Sequence, residues 1–219
     1  MNSAVLGLIA LAICLLAYIG LRRHSGKPKA SLGIDSLDPR TILFSLATIS
    51  DPLPPLDGVA PESGEALRLH EDDWRQIEFV AHRDIDGVNQ ELAELAAFKL
   101  TNRVGQGWKE MYVRQSRARA LLPLRIPMAG LLSVLPSEAA MLPLVIEAAR
   151  APAAVKGGFS QELSPGIMLY GHVVEGMLAS LSLRLAQDVA EEPALSPLVQ
   201  TICERFGLKV VNWYRGSWA

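Results

Sequence analysis

The chain has 219 residues, half of them hydrophobic and a fifth charged, with a formal net charge of -2. That balance excludes an intrinsically disordered chain and a dedicated nucleic-acid binder, whose domain carries a basic excess. Of its two cysteines, Cys14 lies in the apolar run near the N-terminus and Cys203 far off in the domain, so an internal disulfide is not expected, which suits a reducing compartment.

Residues 4–21 form an uncharged run followed at once by Arg22, Arg23, Lys27 and Lys29. A helix of that length spans about 27 Å, close to the roughly 30 Å hydrocarbon core of a bilayer. Only Met1, Asn2 and Ser3 precede the run and no small-residue cleavage site follows it, so an uncleaved transmembrane helix is expected. Basic residues collect on the cytoplasmic side. Because the nearby ones all follow the run, the expected location is a bacterial-type inner (plasma) membrane, with the N-terminus out and the main domain in the cytoplasm. The expected organisation is an anchor with a basic collar over 1–30, a short helix and Pro-rich linker over 31–66, and a cytoplasmic α+β domain over 67–219.

In the second segment Asp38 and Pro39 suit the N-cap and first position of a short apolar helix over 41–49. Pro52, Pro54, Pro55 and Pro61, with Gly58, then predict an extended, semi-rigid spacer. A β-α-β unit follows, where the apolar period changes from two to about 3.6 and back. Arg75, Ile77, Phe79 and Ala81 alternate with Gln76, Glu78, Val80 and His82 as a strand near 75–81. Val88, Leu92, Leu95 and Ala96 share one face of a helix near 86–103, and a second strand is expected near 108–115. Several apolar helices are expected next. Ser137 suits the cap of one running to Arg150, and the apolar run 166–183 predicts a buried helix, with a second membrane span as the alternative. Ser196-Pro197 and Gly207 are start and stop signals for a further helix, and alternation over 208–215 predicts a C-terminal strand. The fold class expected is therefore α+β behind an N-terminal transmembrane helix.

Nucleophile-elbow, P-loop, zincin, C-x-x-C and dinucleotide signatures are absent from the sequence, and no cofactor is expected. On a helix, His172 and Glu175 stand on one face and offer two ligands to a metal such as zinc; a buried pair bonded to each other is the plainer account. That pair carries the alternative reading of a membrane-bound metal-dependent hydrolase. The charge layout is more suggestive: residues 62–94 contain ten acids and three bases, and residues 99–125 contain seven bases and one acid. Arg114, Arg117, Arg119 and Arg125 are the candidate contacts for anionic lipid or an acidic partner. Trp218, next to the chain's end, is a further candidate contact.

The layout of outward N-terminus, basic collar, Pro-rich spacer and small cytosolic domain resembles that of bacterial division-protein tethers. The likeness is one of arrangement alone and transfers no site residue. The expected function is that of a membrane-anchored protein-interaction or scaffold module rather than an enzyme. Its expected partners are the membrane, through residues 4–21, and another protein.

Overall fold

The computed structural model describes residues 43–58, 60, 66–115, 121–136, 140–147, 151–186 and 196–219. Leu43–Ala219 form one unit. Its elements in chain order are β1 (Thr48–Asp51), β2 (Leu67–His70), β3 (Ile77–Ala81), α1 (Ile85–Asn102), β4 (Arg103–Val104), β5 (Gly107–Trp108), β6 (Tyr112–Gln115), α2 (Met128–Leu132), β7 (Leu144–Glu147), β8 (Pro152–Ala154), β9 (Gly158–Ser164), β10 (Ile167–Val174), β11 (Met177–Leu185), α3 (Pro197–Phe206), β12 (Leu208–Asn212) and β13 (Ser217–Trp218). The unit is mainly β, which corrects the expected α+β domain with several apolar helices.

The centre is a six-stranded antiparallel sheet in the order β13-β12-β3-β11-β10-β9. A smaller sheet, β2-β7-β8, adjoins its β9 edge through reciprocal backbone bonds between Leu142 and Ser160, both 2.8 Å. β1 and β6 pair in parallel as a separate ribbon. Alternation along each strand separates the two faces of the main sheet. Ile77, Phe79, Leu169, Leu181, Leu183, Leu208 and Val210 enter a core closed by Leu131 of α2 and by Val199 and Ile202 of α3. On the other face Val80 and Val211 pack with Val88 and Leu95 of α1 and with Trp213, while Tyr170 packs with Trp74, Leu69 and Ile146.

The largest departure from the sequence reading lies at 166–183. This run is neither a buried helix nor a membrane span but the β10–β11 hairpin. Glu175 and Gly176, with φ of 51° and 76°, form the two-residue turn whose twist matches paired strands. Gly171 is required because a side chain there would strike the Ser180 carbonyl oxygen on the neighbouring β11. The expected helix over 137–150 is likewise replaced, within its described part, by β7. α1 occupies the place expected for a helix near 86–103, but the strands on either side do not join as a β-α-β unit. β3 pairs with β11 and β12, and β6 pairs with β1. α3 begins where Ser196 Oγ accepts from the Val199 amide at 3.4 Å and ends at Gly207, in the left-handed region at φ 64°.

The expected helix over 41–49 and the spacer after it are part of the domain wherever they are described. Phe44 exchanges backbone bonds with Trp108, and β1 supplies a strand. The Pro-rich segment then runs along β8: Pro55 has no amide to donate, yet its carbonyl accepts from Lys156 N at 2.8 Å, and Asp57 N donates to the Ala154 carbonyl at 2.7 Å.

No helix among the described residues is long and apolar enough to cross a membrane. The transmembrane reading and the inner-membrane location derived from it are corrected accordingly. Residues 4–21, on which both were based, lie outside the described residues.

Candidate functional site

Beneath the second face of the sheet lies a cluster of charged and aromatic side chains centred on Glu78. The acid belongs to β3, and strand alternation turns it inward between Ile77 and Phe79, which face the opposite core. Its Oε1 accepts from Arg75 Nη2 at 2.5 Å and its Oε2 from the Trp213 indole at 3.3 Å. Arg75 sits at φ 58°, a left-handed conformation uncommon for a side-chain-bearing residue. There its amide donates to Tyr170 Oη at 2.9 Å, and that hydroxyl donates to the Asp73 carbonyl at 3.2 Å.

Arg114 enters the same cluster from β6 and is only 1% exposed. Its Nη2 donates to the Arg75 carbonyl at 3.1 Å and to the Trp74 carbonyl at 3.5 Å, its Nη1 reaches Gln76 Oε1 at 3.5 Å, and its guanidinium lies 4.9 Å from the Trp213 ring centre. Burial pushes its pKa down to about 10 while the Glu78 charge opposes that fall, so it stays a cation at neutral pH. Two guanidiniums and one carboxylate therefore share an interior site. Gln76 ties the site to β1 by donating to the Thr48 carbonyl at 2.8 Å and, on the other side, to that of Asp72 at 2.6 Å. The Tyr170 hydroxyl is raised chiefly by burial, and so is the Tyr214 hydroxyl, which donates to Asp73 Oδ1 at 2.8 Å; both remain protonated. Chemically the cluster is a clamp that joins β1, β3, β6, β10 and the C-terminal turn.

The predicted contact residues are distributed differently from their sequence pattern. Arg114 is interior, because the parallel pairing of β6 with β1 turns it under the sheet. Arg117 and Arg119 lie outside the described residues. Arg125 is exposed in the left-handed turn at φ 52° that closes the Leu122–Leu124 helical turn. Trp218 is half-buried, with its indole donating to Asn89 Oδ1 of α1 at 2.9 Å and Lys209 Nζ 5.7 Å from its ring centre. Lys99 donates to the Tyr214 carbonyl at 2.9 Å, which leaves Arg103, Lys109 and Arg125 as the exposed bases described between 99 and 125.

His172 and Glu175 do not share a helix face. His172 lies on β10, where its Nδ1 is 2.7 Å from Oγ of Ser180, its register partner on β11, whereas Glu175 is exposed in the turn. Burial first, then the Arg75 charge, pushes the His172 pKa down to about 4, so the imidazole is neutral at pH 7. Among the described residues no group of three or more His, Cys, Asp or Glu is placed to hold a metal ion. Cys203 belongs to the opposite core on α3, and burial pushes its thiol up to about 11.

The sequence reading missed Arg75, Glu78 and Tyr170. An acid in the middle of a five-residue strand that is otherwise apolar was the available signal for Glu78, since such a group is buried only when paired.

The exposed surface of α1 is the second feature of note. Val88, Glu91 and Leu95 are buried, while Asp86, Gln90, Ala93, Ala96, Ala97 and Leu100 are exposed. Leu100 is 86% exposed. The apolar surface continues past the helix end into Val104 of β4. Across the β4–β5 hairpin, Leu43 covers Gly107 and Phe44 pairs with Trp108; Leu43, Phe44 and Val104 are all exposed.

Searches against known protein families, curated proteins and solved structures gave no match to this chain.

Proposed function

We propose that the chain is a protein-interaction or scaffold module that holds a protein partner on the outer face of α1 and the adjoining β4–β5 corner. The observation that carries this reading is Leu100, 86% exposed at the end of a row containing Ala93, Ala96 and Ala97. A row spaced by three and four residues is the pattern by which one helix docks on another, and small side chains let the backbones approach closely. The Glu78 clamp supports the same reading in another way. It fixes the β1–β6 ribbon to the sheet, and Tyr112 of β6 holds α1 through its hydroxyl, which donates to Glu94 Oε2 at 2.8 Å. The docking face is thus presented on a rigid support.

Site-specific photo-crosslinking tests the reading. A photoreactive residue at position 100 of the full-length chain, expressed in its native cell, is expected to give a discrete adduct. The same residue at the exposed Lys156, on the loop after β8, is expected to give none. Equal labelling from both positions, or no adduct from position 100, defeats it.

A further inference from the structure

We infer that the protein held on this face is a second copy of the chain, bound with the two α1 helices packed antiparallel about a two-fold axis that meets the outer face of α1 between Ala93 and Ala97. The inference rests on the α1 docking surface proposed above and adds the identity of its occupant. An isologous contact requires a surface complementary to itself under reversal, and α1 has that property. With the axis there, Ala93 meets Ala97 of the other copy, Gln90 meets its Leu100, and Asp86 meets the Arg103–Val104 end. Asp86 and Arg103 are both exposed, Asp86 in the first turn of α1 and Arg103 directly after its last residue. Reversal therefore brings each acid to the other copy's base, twice per dimer, whereas a parallel pairing places like charges together. Antiparallel helix dipoles favour the same arrangement.

Glu94 is the acid nearest the axis, and its two oxygens are occupied within its own chain. Oε1 accepts from Gln90 at 3.0 Å and Oε2 from Tyr112 at 2.8 Å, so its charge is directed toward β6. At each end of the helix pair Leu43, Phe44 and Val104 extend the apolar contact over the first turn of the other copy's α1.

Sedimentation equilibrium of the full-length chain, with charge-swapped variants, decides the matter. The wild type is expected to dimerise, and Leu100→Glu to raise the dissociation constant at least about tenfold without changing the thermal transition of the dilute, monomeric protein, since that side chain touches solvent in the single chain. Asp86→Arg and Arg103→Glu should each weaken the dimer, and the double variant should return it to near the wild-type constant. That restoration separates this contact from association through any other surface. In a Cys14→Ser, Cys203→Ser background, Ala93→Cys mixed with Ala97→Cys should form an intermolecular disulfide faster than either variant alone. A wild type that stays monomeric, or a dimer indifferent to Leu100→Glu and to the charge swap, overturns the inference. A position-100 adduct containing a different protein, with a monomeric wild type, overturns self-pairing and leaves the docking surface intact; the absence of any adduct removes both.

Discussion

On one face of the six-stranded sheet Ile77, Phe79, Leu169, Leu181, Leu183 and Val210 meet α2 and α3 through contact that is apolar throughout and largely aliphatic. On the other, the same strands present Glu78, Tyr170, His172 and Ser182 among Trp74, Arg75, Arg114 and Trp213. The first face gains from water exclusion, is tolerant of detail, and loses stability in proportion to the atoms removed. The second has two cations and one anion removed from solvent, and its stability depends on every partner being present. Carbonyl groups of Trp74 and Arg75 accept from Arg114 Nη2, so the backbone of the turn before β3 is as much a part of the cluster as the side chains.

The sharpest way to break this comparison is Glu78→Ala. It leaves Arg75 and Arg114 facing each other without a carboxylate and should cost about 3–5 kcal/mol. Leu169→Ala on the aliphatic face should cost about 2–5 kcal/mol. The two differ in rescue: replacing Arg75, Glu78 and Arg114 together by apolar residues should recover most of the loss, because no charge then remains buried. No second substitution beside Leu169→Ala should do so unless it refills the cavity. Urea denaturation midpoints measure both series. A Glu78→Ala protein as stable as the wild type would show that the clamp does not hold the fold.

The aliphatic face was the legible one, though only in part. Ser196-Pro197 and Gly207 mark α3 locally, through a side-chain cap and a left-handed residue, and neither depends on distant chain. The β10–β11 hairpin takes the place of the helix expected over 166–183 because its overall apolarity obscures an alternation of Ser180, Ser182 and Arg184 with Leu181, Leu183 and Leu185, and because Glu175-Gly176 is a turn that carries no proline or asparagine to mark it. The charged face was hidden for a different reason. Arg114 stands in sequence beside Arg117, Arg119 and Arg125, and nothing local distinguishes it from them. It is buried by a pairing of β6 with β1, 64 residues away, and by Trp213 at the far end of the chain. Burial of a charge is decided by which strands meet, and the pattern along one strand does not contain that.

Tyr170→Phe tests how far the clamp depends on a hydroxyl. The ring still fills its place beside Trp74, 5.7 Å away between centroids, but the Arg75 amide loses its buried acceptor. The expected cost is about 1–3 kcal/mol, the penalty of an unsatisfied buried donor. A neutral result, seen by the same denaturation, would place a water where the hydroxyl was.

The pH dependence of the charged face should be set by His172. Its pKa of about 4 in the folded protein lies below the ordinary value near 6.5, so the unfolded chain binds the extra proton first as pH falls. Its contribution is complete above about pH 6.5 and is lost progressively between there and pH 4. Because the ring is only half-buried, screening by water reduces the effect to about 1 kcal/mol. His172→Gln should flatten the stability profile over that interval and leave the pH 7 to 8 region unchanged in slope. A profile with the same slope in both proteins would assign the acid sensitivity elsewhere.

Tyr214→Phe should have the smallest effect of the series and bounds the clamp on its outer side. Its hydroxyl donates to Asp73 Oδ1 at 2.8 Å, much as Tyr170 donates to the Asp73 carbonyl, but Tyr214 is 43% exposed. Water can replace the lost donor at the carboxylate, so the expected cost is about 0.5 kcal/mol, at the lower end for a hydrogen bond. The contrast with Tyr170→Phe reports burial together with the second bond that Tyr170 Oη makes, since that hydroxyl also accepts from the Arg75 amide. Equal costs for the two tyrosines would mean that Tyr214 is as shielded as Tyr170, and that the C-terminal turn closes over the cluster instead of edging it.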